Sequence, residues 1–302
     1  MTKRILLQAG LALALVLGLA GGAEAAGKVK AVASFSILAD MVKQVGGDRV
    51  EVITLVGPDG DAHVYEPTPA DAKNLAGANI LFTNGLGFEG WMDRLEKSSG
   101  FKGKVVVAST GVKPRTMVEE EGGKKETITD PHAWQSLANG KLYVANIRDG
   151  LIAVDPDGKA IYEANANTYL DAIAKEETDV KAALAALPKE RRKIITSHDA
   201  FGYFGATYGL EVIAPEGVST ESEASAQDVA KIIHQIKAEK IPAVFMENIT
   251  DHRLLDQIAS ETDAKIGGTL YTDALSPPDG PAGTYLDMFR NNIETLTAAL
   301  AA

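Results

Sequence analysis

Short β-like runs and amphipathic helical stretches take turns along most of this chain, and that alternation limits the fold more than any other feature. Lys28 to Ala33 reads as a β-run, and Ser36 to Val45 as a helix with Ile37, Leu38, Met41, Val42 and Val45 on one face. Val50 to Val56 is a second β-run, closed by the turn Gly57-Pro58-Asp59-Gly60. Thr68-Pro69-Ala70-Asp71 has the composition of a helix start: Thr as N-cap, Pro at the first helical position and an acid in the first turn. Ile80 to Thr83 and Val105 to Ala108 predict further strands, with a helix near Glu89 to Lys97 between them. An Ala-rich, charged helical region then runs from about Asp157 to Leu187 and stops at Pro188. After it the pattern restarts, with strands at Lys193–Ser197, Leu210–Ala214, Pro242–Met246 and Ile266–Leu270. Helices are expected at Ala200–Tyr208, Ser225–Glu239, Leu254–Ile258 and Tyr285–Leu300. The expectation is an α/β protein of two similar lobes, residues 26–156 and 189–302, joined by one long helix at 157–188.

The first 25 residues stand outside this pattern. Lys3 and Arg4 precede an almost wholly apolar stretch from Ile5 to Ala20, and Ala23-Glu24-Ala25 supplies a small-x-small cleavage pattern. The run of about 16 residues is shorter than the roughly 20 that span a bilayer. Residues 1–25 are therefore expected to be a cleaved signal peptide, and the mature protein to be soluble in the periplasm. The chain has no cysteine, so there is no thiol to carry a lipid or form a disulfide, and any metal site must use nitrogen and oxygen donors. Net charge falls from −11 to −12 without Lys3, Arg4 and Glu24, which disfavours nucleic acid and anionic membrane as partners.

With only five histidines, each can be weighed. His63 lies just beyond a strand and its turn, and His132 just before a helix. His198 follows the run Lys193–Ser197 directly, and Asp273 follows Ile266–Leu270 within three residues. Ligands of open α/β sheets gather beyond the carboxyl ends of strands, which is where His198 and Asp273 fall. Two candidates come from each half, so a cleft between lobes is the economical arrangement. Three imidazoles and a carboxylate would make a closed tetrahedral set suited to Zn²⁺, whereas a carboxylate-rich set would suit manganese or magnesium. Taken singly, a loop His is more often hydrogen-bonded or at the surface than a ligand. None of the four forms a short motif such as His-Glu-x-x-His, so residue chemistry leaves both readings open.

His234 points away from the apolar face formed by Val229, Ile232, Ile233 and Ile236, and His252 sits in the first turn of a helix; both read as solvated. Trp91 and Trp134 read as packing residues, with Trp134 near enough to His132 to wall a site. Gly85-Leu86-Gly87-Phe88-Glu89-Gly90 lacks the ending of a phosphate loop and reads as a turn. Glu119 to Glu126 reads as a charged, solvated loop.

Four motifs occur in register: Asp61-Ala62-His63-Val64-Tyr65-Glu66-Pro67-Thr68-Pro69, Asp130-Pro131-His132-Ala133-Trp134, Ser197-His198-Asp199-Ala200-Phe201-Gly202-Tyr203-Phe204, and Tyr271-Thr272-Asp273-Ala274-Leu275. Over essentially its whole mature length the chain resembles the zinc/manganese-binding solute-binding proteins of ABC importers. The resemblance implies two α/β lobes joined by one rigid helix, with the metal buried between them and His63, His132, His198 and Asp273 as its ligands. It implies a cargo of Zn²⁺, with Mn²⁺ or Fe²⁺ as the alternative, an ABC permease in the cytoplasmic membrane as partner, and a monomer. Manganese-selective members often carry Glu where this chain has His198, which favours zinc. Many zinc-specific members carry a His-rich acidic loop before the second motif. Residues 119–126 are acidic without His, so direct capture or a periplasmic metallochaperone would supply the ion. Two other functions fit these residues less well. A zinc hydrolase needs an open coordination position and a general base. Four protein ligands close the set, and Glu66, the acid nearest His63, reads as a loop anchor. An adhesin, a role described for relatives, would need a partner surface that the residues do not display.

Overall fold

The structure is a computed structural model that describes residues 27–301 apart from 122, 123 and 223. The expected leader at 1–25 lies outside the described residues. The first lobe runs β1 (Val29–Phe35), α1 (Ser36–Gly46), β2 (Val50–Val56), α2 (Pro69–Ala76), β3 (Ile80–Thr83), α3 (Met92–Ser99) and β4 (Lys104–Val107). All its strand pairs are parallel, in the order β2-β1-β3-β4. β1 is buried at every position but Lys30, the continuous apolar run expected of a parallel strand covered on both faces. Ile37, Leu38, Met41, Val42 and Val45 of α1 are fully buried against that sheet, each worth about 2 kcal/mol in removed apolar surface.

After β4 the chain forms β5 (Thr116–Glu121) and β6 (Lys124–Thr129), an antiparallel hairpin pairing Thr116 with Thr129 and Glu121 with Lys124. This corrects the expectation of a loop at 119–126. The charged stretch is the far end of a hairpin whose stems, Thr116-Met117-Val118 and Thr127-Ile128-Thr129, are β-forming residues placed opposite each other. α4 (Leu137–Val154) follows, then α5 (Lys159–Ala185), whose 27 residues span about 40 Å at 1.5 Å per residue. Tyr162, Ala166, Tyr169, Ile173, Glu176, Val180 and Leu184 make its buried stripe, spaced three and four apart, against α1, α4 and the last helix.

The second lobe runs β7 (Lys193–Ile195), α6 (Gly202–Tyr208), β8 (Glu211–Ile213), α7 (Ala226–Glu239), β9 (Ala243–Glu247), α8 (Arg253–Ser260), β10 (Lys265–Leu270) and α9 (Tyr285–Ala301). Its parallel sheet has the order β10-β9-β7-β8. Read from the other edge, its second, first, third and fourth strands lie side by side, as in the first lobe. The protein is thus an α/β fold of two similar lobes joined by a long helix. One core runs through the first lobe, α5 and α9 into the inner face of the second sheet; Val229, Ile232, Ile236, Leu255 and Ile258 belong to a smaller one under α7 and α8. Ile233 is only half-buried, while His234 and His252 are exposed.

Candidate metal centre

Each of the four candidate residues is held by its neighbours. On the β2–α2 loop, the Asp61 carboxylate accepts the amide of His63 at 2.9 Å, and Trp91 Nε1 donates to the carbonyl of Ala62 at 2.7 Å. The loop continues into the α2 cap, where Asp71 Oδ2 accepts from Tyr65 Oη at 2.8 Å and from Thr68 N at 2.7 Å. Glu66, expected to anchor this loop, is exposed; Asp71 is the anchoring acid. His132 follows β6, and Asp130 Oδ1 meets both its amide (2.9 Å) and its Nδ1 (3.0 Å). Asp130 can sit there because position 202 is glycine: a Cβ would lie 2.4 Å from Asp130 Oδ2.

In the second lobe His198 stands three residues beyond β7, and Glu247 ends the adjacent β9. Glu247 Oε1 accepts from the amides of Ser197 (2.7 Å) and His198 (3.0 Å), and Oε2 pairs with His198 Nδ1 and accepts from Thr272 Oγ1. Asp273 stands three residues beyond β10. The carbonyl before it, on Thr272, accepts from Trp134 Nε1 and Gln135 Nε2, each at 2.9 Å.

These supports bring the three Nε2 atoms and Asp273 Oδ2 together. Oδ2 lies 3.1 Å from His63, 3.2 Å from His198 and 3.5 Å from His132, and the His63 and His132 Nε2 atoms are 3.3 Å apart. All four lie within 4.8 Å of one another. Four of these separations, 3.1 to 3.5 Å, are close to the edge of about 3.3 Å of a tetrahedron whose corners lie about 2.0 Å from its centre, the usual Zn–N distance, while the set as a whole spreads to 4.8 Å. His132, His198 and Asp273 are wholly buried and His63 is 6% exposed. Asp273 Oδ1 is buried without a hydrogen-bond partner, an oxygen that a cation would satisfy. Phe88 and Trp134 wall the centre, with ring centroids 4.8 Å from His63 and 5.3 Å from His132 respectively.

The electrostatics separate the three imidazoles. Burial holds His63 below the ordinary imidazole pKa despite Asp273 beside it, so its ring stays neutral. Burial also opposes charge on His132, but the Asp273 and Asp130 carboxylates outweigh it and raise its pKa to about 9. The same contest, won by Glu247 and Asp273, carries His198 well above its ordinary value. Asp273 falls well below the carboxylate range: burial would raise it, and His132 and His198 override burial. Without a cation, the carboxylates around His132 and His198 favour a proton on each. A carboxylate on Nδ1 leaves the Nε2 lone pair turned to the centre once the extra proton departs.

Sequence reasoning singled out the four central residues but not Glu247, and gave Asp130 and Asp61 no role. The repeated Asp-x-His at 61–63 and 130–132 was a local signal, because an Asp two residues before an amide can accept its proton. Glu247 carried no such signal. It is 49 residues from His198, and only strand pairing makes them neighbours.

The sequence profile of the family described as "Zinc-uptake complex component A periplasmic" matches residues 31–299. The manganese-binding lipoprotein MntA of Halalkalibacterium halodurans is 32% identical over 281 residues, covering 93% of this chain and 91% of that protein. The iron-binding protein YfeA of Yersinia pestis is 32% identical over 273 residues, covering 90% and 86%. Among solved structures, the periplasmic zinc binding protein TroA from Treponema pallidum superposes with a TM-score of 0.85 at 32% identity, over 91% of this chain and all of that one.

Proposed function

This chain belongs to the periplasmic zinc-uptake component A family, substrate-binding proteins of ABC metal importers and not enzymes, and from that premise we propose that its cargo is Zn²⁺, held by His63, His132, His198 and Asp273. It acts outside the cytoplasm, capturing a divalent metal for a permease in the cytoplasmic membrane. The proposed set is three neutral imidazole nitrogens and one carboxylate. Imidazole suits zinc, and a carboxylate in place of one ring would suit manganese. The observation that carries this reading is Glu247: its carboxylate is engaged by His198 Nδ1 and two amides, so the third donor facing the centre is a ring nitrogen and not a carboxylate oxygen.

The relatives' names divide between manganese, iron and zinc, so the metal has to be read from this chain's own donors. The protein acts as a monomer that takes its ion directly or from a periplasmic metallochaperone, and passes it on when the lobes part. Elemental analysis of natively purified protein, followed by zinc–manganese competition and X-ray absorption at the metal edge, tests this. Expected is one zinc per chain with three imidazoles in a four-coordinate shell. Native protein carrying manganese in a six-coordinate shell would falsify the zinc assignment.

A further inference from the structure

The four proposed ligands are not equally enclosed. His132, His198 and Asp273 expose nothing, whereas His63 retains some surface and lines a cavity of about 560 Å³ shared with Phe88, Thr129 and Ser219. Gly87 and Glu221, on the rim of that cavity, are exposed.

The lobes also meet in two different kinds of contact. Outside the lining of that cavity, Trp134 and Gln135 of the first lobe donate to the Thr272 carbonyl of the second, and all three residues are buried. On the cavity side, which Ser219 and Glu221 line, Thr220 Oγ1 of the second lobe donates to Asp61 Oδ2 at 2.6 Å in a part-buried contact. The other oxygen of the same carboxylate, Asp61 Oδ1, holds the His63 amide. The loop bearing Thr220 is fastened in turn to the segment carrying His198, through Asp199 N to Gly217 O (3.0 Å) and Glu216 N to Ser197 O (3.3 Å). His132 and His198 are each braced at Nδ1 by a carboxylate of their own lobe. Among the described residues no carboxylate pairs with His63 Nδ1, and the acid that holds its backbone is itself held from across the cleft.

We propose that His63 is the ligand that detaches for ion exchange, through this cavity, and that the Asp61–Thr220 hydrogen bond is the latch that sets how often it does so. This rests on the metal-capture reading above. Parting the lobes on the cavity side breaks the latch, frees Asp61 and loosens the turn that presents His63. His132 and His198 keep the carboxylates of their own lobes, Thr272 beside Asp273 keeps Trp134 and Gln135, and one coordination position opens toward the cavity.

The test is release of zinc from loaded protein into excess EDTA by stopped flow, with association measured separately, for the parent, Thr220→Val and Thr220→Ser. A hydrogen bond to a charged group lost at a part-buried position predicts release about tenfold faster in Thr220→Val, with one ion still bound per chain. Thr220→Ser, which keeps the hydroxyl, stays within about twofold of the parent on the same argument. Release at the parental rate in Thr220→Val, or equally fast release in both variants, overturns the latch. Should Thr220→Val not fold, Ser219→Trp tests the route by itself. Narrowing the mouth must slow association and release together, by about tenfold each at unchanged affinity, whereas unchanged rates overturn the route. A parent chain that binds no zinc brings down the capture reading and the latch with it; a parent that binds one ion and a Thr220→Val that releases it normally brings down the latch alone.

Discussion

The two lobes share one strand order but present their candidate ligands by different means. The second lobe projects His198 and Asp273 three residues beyond the ends of β7 and β10, and braces His198 with Glu247 at the end of β9. The first lobe uses longer connections: His63 stands seven residues past β2, and His132 follows a hairpin that has no counterpart among the described residues of the second lobe. The cores differ in the opposite sense. The first sheet and its helices belong to the continuous core, while α7 and α8 rest on a small separate cluster. A lobe can thus be rigid at its site and loose at its periphery, because strand ends inherit the order of the sheet whatever covers its outer face.

The widest separation between the lobes is expected at the ligands. Replacing His198 by Ala leaves the Glu247 and Asp273 carboxylates buried without their shared partner, a cost to the metal-free fold of about 3–5 kcal/mol. Separately, it removes one of the four proposed donors, so zinc affinity should fall roughly 1000-fold by competition titration. His63→Ala, at the partly exposed position, should cost roughly tenfold less, and equal losses would dissolve the distinction. The outer core comes next. Ile232→Ala should lower the unfolding free energy by about 2–3 kcal/mol while zinc affinity holds within about twofold, and hydrogen exchange should reach α7 and α8 before α1 and α4. A matching loss of affinity would mean that the outer layer does shape the site. Glu247→Gln keeps the shape of the brace but not its charge, and should weaken binding about 10–100-fold.

Acidity gives the smallest effect per step and acts with opposite signs on the two forms. His132 has its pKa raised from 6.5 to about 9, so its proton stabilises the metal-free fold below 6.5 and that contribution is lost as pH rises through about 9. Ion binding needs neutral rings, so zinc affinity should rise between those limits, by up to about tenfold per pH unit for each proton displaced, one from His132 and one from His198. Calorimetry in buffers of different ionisation enthalpy would count those protons. Release of none near neutral pH would contradict the raised value.

Much of the fold was legible because it rests on local rules. β2 and β3 run between the expected residues, Thr68-Pro69 starts α2 through a capping box, and Ser225 caps α7. The stretch 119–126 has the composition of a solvated loop, while its pairing depends on residues before and after it. The anchoring role expected of Glu66 falls to Asp71 for a related reason: both are acids near Tyr65, and the turn of the chain decides which carboxylate reaches Tyr65 and Thr68.

From the sequence alone come two α/β halves around one long helix, the restriction of any metal site to nitrogen and oxygen donors, and four motifs in register. These follow from periodicity, capping chemistry and residue type, properties carried within a few positions of each residue. It is the packing of the folded chain that brings Asp273 Oδ2 to 3.1–3.5 Å from the three ring nitrogens, sets Glu247 against His198 Nδ1, and carries Asp61 across to Thr220. Those pairs lie from 49 to 210 residues apart, and it is the packing of two sheets against a shared core that brings them within hydrogen-bond range.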